Sequence, residues 1–252
     1  MANVRINDSF LAIAERAALA ALVRRLPSFV TPDHLTGIGL LGAVLTAAGF
    51  VACWWSNWFL VAVVFGLFLN WFGDSLDGTL ARYRKIERPH YGYFVDHSAD
   101  LIAQTLIVVG LGASPFFTVA SSLLVLSLYL LMSSYTYLRV VTESIHRLSY
   151  GGMGATEFRI LVACWALFAG WFGPGITTGR IMSFVALDVV IGALSACTFL
   201  IFVFIVRNDL ARMQRDELSA EDKKKASAKA PTRDENAHFE MAKQDLAEPA
   251  PQ

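Results

Sequence analysis

Charge is what this chain has least of. Asp, Glu, Lys and Arg make up 17% of its 252 residues, where a soluble domain carries about a quarter. The two signs balance, 21 basic against 21 acidic, for a formal net charge of zero. That balance lacks the basic field that would draw nucleic acid, and no such partner is expected. Cysteine is also scarce. Cys53, Cys164 and Cys197 are far apart and have neither disulfide-framework nor zinc-site spacing. They read as small buried core residues. There is no Walker-type Gly-rich loop to cradle a phosphate, and no internal repeat of the kind that marks inverted-topology transporters. The start of the chain carries Arg5, Glu15 and Arg16 without a clean apolar stretch, so no cleavable signal peptide is expected.

Apolar residues make up 55% of the sequence, and its mean hydropathy is +0.49. They come in long runs rather than amphipathic stripes. The spacing predicts an all-α fold, an integral membrane bundle of six transmembrane helices behind an N-terminal amphipathic surface helix. That first helix is expected over 8–25, capped by Asp8 or Ser9, with Leu11, Ala14, Ala18, Leu19, Leu22 and Leu26 on its apolar face. Glu15 and Arg25 blur the edges of that face, and a helix packed on protein would read the same way. Pro27 and Pro32 break the chain. The spans are then expected over 35–55, 58–82, 92–112, 116–138, 156–172 and 181–206. Gly39, Ala43 and Ala47 give the first span a face that another helix can approach closely. Trp54, Trp55 and Trp58 mark an interface.

Arg82, Arg84, Lys85 and Arg88 fall in the loop between spans two and three, and Arg139 and Arg147 between four and five. Arg5, Arg16, Arg24 and Arg25 precede the first span, and Arg207, Arg212 and Arg215 follow the last. The opposite loops carry only Arg180. The bias of basic residues predicts that both termini are cytoplasmic. The expected organisation is a surface helix (1–30), a six-helix membrane domain (31–207) and a polar cytoplasmic tail (208–252), helical near the membrane and disordered beyond.

The chemistry is concentrated over 74–100. Asp74 and Asp77 are three apart, and Asp96 and Asp100 are four apart. On helices each pair shares a face. A short basic loop joins the two helices, so the two faces can meet around one small volume. Carboxylates at a span boundary are expensive to desolvate and mark a functional site. Oxygen-only ligation suits Mg²⁺ or Mn²⁺, and four carboxylates suffice for two ions. Two such ions about 3.5–4 Å apart form the usual clamp for displacement at phosphorus. Gly78, Ala81 and Gly92 leave room against the backbone, and Arg82 offers a planar fork to a phosphate.

The pattern Asp-x2-Asp-Gly-x2-Ala-Arg, a spacer, then Gly-x3-Asp-x3-Asp resembles the signature of the CDP-alcohol phosphotransferases. All eight positions are present: Asp74, Asp77, Gly78, Ala81, Arg82, Gly92, Asp96 and Asp100. The spacer, 83–91, is one residue longer than usual, which bears on the loop path and not on the site. The resemblance extends to the six spans, to the Thr31-Pro32-Asp33-His34-Leu35-Thr36 entry and weakly to 137–143. It implies a homodimer in the bacterial inner membrane that works in phospholipid synthesis. In it, Asp74, Asp77, Asp96 and Asp100 hold two Mg²⁺ or Mn²⁺ ions, and Gly78, Ala81, Arg82 and Gly92 line the CDP pocket. Asp100 acts as general base on a small alcohol that attacks a CDP-linked lipid donor, CDP-diacylglycerol, and releases CMP.

Alternatives stay open. His97, between two aspartates, resembles the Asp-His pair of choline and ethanolamine phosphotransferases, which would instead act on diacylglycerol. A divalent-cation transporter is a third reading of the carboxylates. Arg139, Glu143, His146, Glu157 and Arg159 sit near the ends of spans four and five. Of these, Arg139 and Arg159, together with His97, are candidates for the acceptor pocket. Asp188 matches nothing in the pattern and is expected to pair with Arg180. His34, His90 and His238 read as incidental.

Overall fold

The computed structural model describes residues 4–6, 11–143, 145–147, 154–173, 175–181 and 183–229. The elements run β1 (Val4–Ile6), α1 (Ala12–Val23), α2 (Pro32–Ala52), a 3₁₀ turn (Asn57–Phe59), α3 (Leu60–Arg84), α4 (Pro89–Gly112) and α5 (Val119–Glu143). Then come β2 (Ile145–Arg147), α6 (Ala155–Phe172), α7 (Gly175–Thr178), β3 (Arg180–Ile181), β4 (Phe184–Val185) and α8 (Ala186–Lys229). The strands form a parallel pair, β1 with β2, and an antiparallel pair, β3 with β4. Everything else is helix, as expected. Six of the helices are long and apolar enough to cross a membrane. Trp58 and Trp171 are 84% and 87% exposed, which lipid accommodates and water does not. The six helices mark an integral membrane protein.

Contacts divide the chain into residues 1–199 and residues 200–252. In the first unit, α2 packs along both α3 and α4. Glycines let it do so. A β-carbon on Gly42 would lie 2.5 Å from the Asn70 nitrogen, and one on Gly110 2.5 Å from the Ala47 Cα. Close backbone approach of this kind is how helices associate inside a bilayer, where burial gives no drive. Phe50, Val63, Ile107, Phe116 and Ala166 pack the larger core, and Leu19, Val23, Leu35, Leu76 and Leu80 a smaller one at the site end. Thr31 caps α2: its Oγ1 accepts from the His34 N–H at 3.2 Å, and His34 Nδ1 accepts from the Thr31 N–H at 3.4 Å. His34 is thus a capping residue and not an incidental one.

Helix α1 differs from its expected face. Ala14 and Ala18 are exposed, and the inward stripe is Leu11, Glu15, Leu19 and Val23, with Leu22 and Leu26 beside it. A cap at Asp8 or Ser9 falls outside the described residues. Helix α5 starts at Val119, three residues later than the span expected from 116. The turn before that helix is closed by Ser114, and Thr118 Oγ1 accepts from the Ser121 N–H at 3.1 Å as the cap. Strands β3 and β4 pair antiparallel ahead of the last span, so that span starts at Ala186 and Asp188 lies in its first turn. Asp188 takes hydroxyl hydrogen bonds from Thr118 and, at 2.6 Å, from Ser121 in place of the expected pair with Arg180. Cys53 is buried, but Cys164 and Cys197 are exposed. Both lie on spans whose outer faces meet lipid, so an apolar run there does not imply a core position. In the second unit, α8 continues to Lys229 with Arg212 pairing Asp209 and Lys225 pairing Glu221; the tail beyond it is outside the described residues.

Candidate active site

Helices α2, α3 and α4 converge where Asp74, Asp77, Asp96 and Asp100 line one small cavity, together with Thr36, Gly39, Asn70 and Ala103. Asp74 and Asp77 sit in the second half of α3, and Asp96 and Asp100 in the first half of α4. The two pairs meet as their spacing predicts, although α2 sits against both helices and supplies the cavity's third wall. The cavity holds about 10 Å³, room for roughly one water-sized sphere. One ion fits inside it, and a second ion or anything larger has to sit at its mouth.

Each carboxylate of α3 has an orienting partner from another helix. Thr36 Oγ1 on α2 donates to Asp77 Oδ2 at 2.6 Å. Arg159 on α6 donates from Nη2 to Asp74 Oδ2 and from Nε to Asn70 Oδ1, both at 2.7 Å. Asn70 in turn donates to the Gly39 carbonyl at 3.0 Å. The Arg159 side chain is only 10% exposed, and a buried guanidinium is stable there because planar, charge-assisted bonds replace its water. On α4, His97 is buried between Tyr93, edge-on at 4.1 Å, and Tyr137 of α5, stacked at 4.6 Å. Its Nδ1 lies 3.6 Å from Asp96 Oδ2 and 3.9 Å from Asp100 Oδ2.

The donor chemistry fits a divalent cation. Among the described residues, Asp96, His97 and Asp100 each offer a ligand atom within 4.8 Å of the others. Asp74 and Asp77 add oxygen donors across the same cavity, and hard oxygen donors suit Mg²⁺ or Mn²⁺. Arg159 offsets the charge of one of the four, Asp74.

The remaining expected residues lie around this centre. Gly78, Ala81 and Arg82 continue α3 beyond Asp77. The Arg82 guanidinium lies over Gly78, where a β-carbon would come 3.2 Å from Nη1, and it donates to Thr79 Oγ1 at 3.3 Å. A β-carbon on Gly92 would meet open space, so protein packing does not require glycine there. Arg139 is buried on α5 but does not line the aspartate cavity. The side chains of Glu143 and His146 are outside the described residues. Glu157 caps α6, accepting from the Gly154 N–H at 2.9 Å, and accepts from the Leu11 N–H at 3.1 Å. Sequence reasoning missed Thr36, Asn70, Tyr137 and Glu15 as parts of this region. Asn70 did leave a signal, as the single polar side chain in the apolar run 58–73.

Comparison with known proteins agrees with the motif. A family model described as CDP-alcohol phosphatidyltransferase matches residues 29–195. The chain is 32% identical over 148 residues to the phosphatidylinositol phosphate synthase of Cutibacterium acnes, covering 56% of this chain and 68% of that one. It is 28% identical over 159 residues to the archaetidylinositol phosphate synthase of Methanothermobacter thermautotrophicus, covering 63% and 71%. It is also 27% identical over 167 residues to cholinephosphotransferase 1 of Gallus gallus, covering 62% of this chain and 48% of the relative.

Proposed function

The chain belongs to the CDP-alcohol phosphatidyltransferase family, and from that premise we propose that it transfers a phosphatidyl group from CDP-diacylglycerol to a small alcohol and releases CMP. The observation that carries this reading is the convergence of Asp74, Asp77, Asp96 and Asp100 on one ion-sized cavity. Two Mg²⁺ or Mn²⁺ ions held by these four side chains would offset charge on the pyrophosphate and on the departing CMP. Asp100 takes the proton of the acceptor hydroxyl, which is a poor nucleophile at neutral pH, as its oxygen attacks the β-phosphorus. A new O–P bond forms, the bond from that phosphorus to the bridging oxygen breaks, and the electron pair leaves with CMP. The open space at Gly92, with Gly78 and Ala81, receives the nucleotide, and Arg82 faces its phosphates.

For the acceptor we favour a phosphorylated polyol. The bacterial and archaeal relatives are named for inositol phosphate lipids. Arg139 and Arg159 are buried basic side chains on neighbouring helices, and the two bonds Arg159 makes use two of its five guanidinium donors. The runner-up is a CDP-amino alcohol donating to diacylglycerol, favoured by His97 between Asp96 and Asp100 and by the chicken relative. The cation-transporter reading gives way to family membership. We further propose a homodimer in the bacterial inner membrane, with site and termini cytoplasmic. Residues 1–30 act as surface helix, 31–207 as catalytic domain and 208–252 as tail.

The test is CMP release by purified protein from CDP-diacylglycerol, with Mg²⁺ or Mn²⁺ and a panel of alcohols, run beside Asp100→Asn. Release with one acceptor, abolished by EDTA and by the substitution, is expected. Release from CDP-choline with diacylglycerol, and none from CDP-diacylglycerol, would overturn the first reading in favour of the second. A single-protomer mass in native mass spectrometry would count against the dimer.

A further inference from the structure

We propose that Glu15 of the surface helix α1 is a positioning residue for the transfer reaction, tying α1 to α3 and α6 so that Arg159 stays on Asp74. Glu15 is acidic and sits among the apolar side chains of the inward stripe, Leu11, Leu19 and Val23. Its Oε1 accepts three hydrogen bonds, from Trp71 Nε1 at 2.8 Å, Ser75 Oγ at 3.2 Å and Thr156 Oγ1 at 2.7 Å. Trp71 and Ser75 are on α3, and Ser75 follows Asp74 directly. Thr156 is on α6, one turn before Arg159. One carboxylate oxygen therefore fastens both helices at the level where the Arg159–Asp74 pair crosses between them. The three converging donors need an acceptor oxygen at this point, and a carboxylate supplies one with charge-assisted strength.

Glu15 touches no reacting group; it acts through the spacing of α3 and α6. An interhelical error of about 1 Å at such a distance from the chemistry costs up to about a hundredfold in rate. The proposal rests on the transfer reaction above, and its own test separates the two. Kinetics are measured with whichever CDP-linked donor the wild-type protein uses, at a temperature where every variant is folded. Glu15→Ala is expected to lower kcat about tenfold or more and leave the KM for both substrates within about threefold. Glu15→Gln keeps an acceptor oxygen in place and is expected to retain kcat within about threefold. Thr156→Val combined with Glu15→Ala is expected to cost no more than Glu15→Ala alone, because both remove one link. Hydrogen exchange supplies the readout that needs no activity: Glu15→Ala should expose the amides of Ala12–Val23 and of the first turns of α6.

A Glu15→Ala protein that melts earlier but keeps its wild-type kcat would make Glu15 a structural clamp only and overturn the proposal. So would a Glu15→Gln protein as slow as Glu15→Ala, or unchanged exchange over α1. A wild-type protein that releases CMP from no phosphatidyl donor, only from CDP-amino alcohols, would sink the donor assignment and leave the same comparison to be made with those donors.

Discussion

Gly73→Ala is the change that most directly tests how the site is held. Gly73 precedes Asp74 on α3 and faces α2. A β-carbon there would fall on backbone atoms, the Leu35 carbonyl oxygen and the Gly39 nitrogen, and would lie 2.7 Å from the Gly39 Cα. Carbon atoms rest about 3.5–4.0 Å apart, so the shortfall is about 1 Å. No side chain can rotate away, because every atom met is backbone; the two helices have to separate. Two bonds across that seam then fail, Thr36 to Asp77 at 2.6 Å and Asn70 to the Gly39 carbonyl at 3.0 Å.

Overpacking costs about 1–3 kcal/mol, and each lost hydrogen bond about 0.5–1.5 kcal/mol. Alanine returns about 0.5–1 kcal/mol through its better helix propensity. The net expectation is a loss of about 1–5 kcal/mol, with the site aspartates displaced. Gly37, two residues from Gly39 on the same helix, has nothing within 4 Å of its β-position. Gly37→Ala is therefore the matched comparison, expected to be neutral or slightly stabilising. Thermal unfolding in detergent, followed by size-exclusion recovery, reads the difference, and CMP release reads the displaced site. A Gly73→Ala protein that melts with Gly37→Ala and turns over like wild type would refute the glycine-seam account.

Gly92→Leu should leave the melting temperature unchanged or slightly raised, since a β-carbon there meets open space and leucine favours the helix, but reduce kcat/KM for the donor by about tenfold or more if the nucleotide lies there; unchanged kinetics would move the slot elsewhere. Arg84→Met removes a guanidinium that donates to the carbonyls of Leu26, Pro27, Ser28 and Val30 at 2.6–3.2 Å. It should cost about 2–4 kcal/mol in unfolding measurements by loosening the link from α1 to α2. Asp188→Ala leaves the hydroxyls of Thr118 and Ser121 without their acceptor and should cost about 1–3 kcal/mol in melting experiments, with Asp188→Asn recovering about half.

The carboxylates were legible because both pairs are local. Residues three and four apart share a helix face whatever the rest of the fold does, and a charge at a span edge stands out against an apolar run. The partners that hold them were not legible in the same way. Thr36 is 41 residues from Asp77, and Arg159 is 85 from Asp74; no spacing rule reaches that far. Arg159 was noticed as a basic residue near a helix end, and its grip on Asp74 and Asn70 follows only from where α6 crosses α3. Glu15 misled in the opposite direction. It spoiled an apolar face on paper because its three donors come from two other helices. Helix boundaries moved for local reasons: the Ser114 turn and the Thr118 cap delay α5 past Pro115, and β3 pairs with β4 before α8. Cys164 and Cys197 show the general limit. Hydropathy says that a residue avoids water, and in a bilayer that is satisfied as well by lipid as by protein.

The charge balance of the site leads to a prediction that needs no substrate. Four carboxylates line one cavity, and Arg159 is hydrogen-bonded to one of them, Asp74. Asp77 is 6% exposed, so its charge is poorly hydrated and its neighbours' fields are poorly screened. A folded state that gathers like charges in this way is held below its attainable stability, and a divalent cation that binds there raises it by mass action, about 2.7 kcal/mol at a hundredfold excess over Kd. Protein with Mg²⁺ or Mn²⁺ should melt higher than protein in EDTA, and the gap should shrink in Asp96→Asn. A wild-type protein whose melting temperature ignores both metals and chelator would mean that the four carboxylates are already neutralised within the chain, by protons or by other side chains.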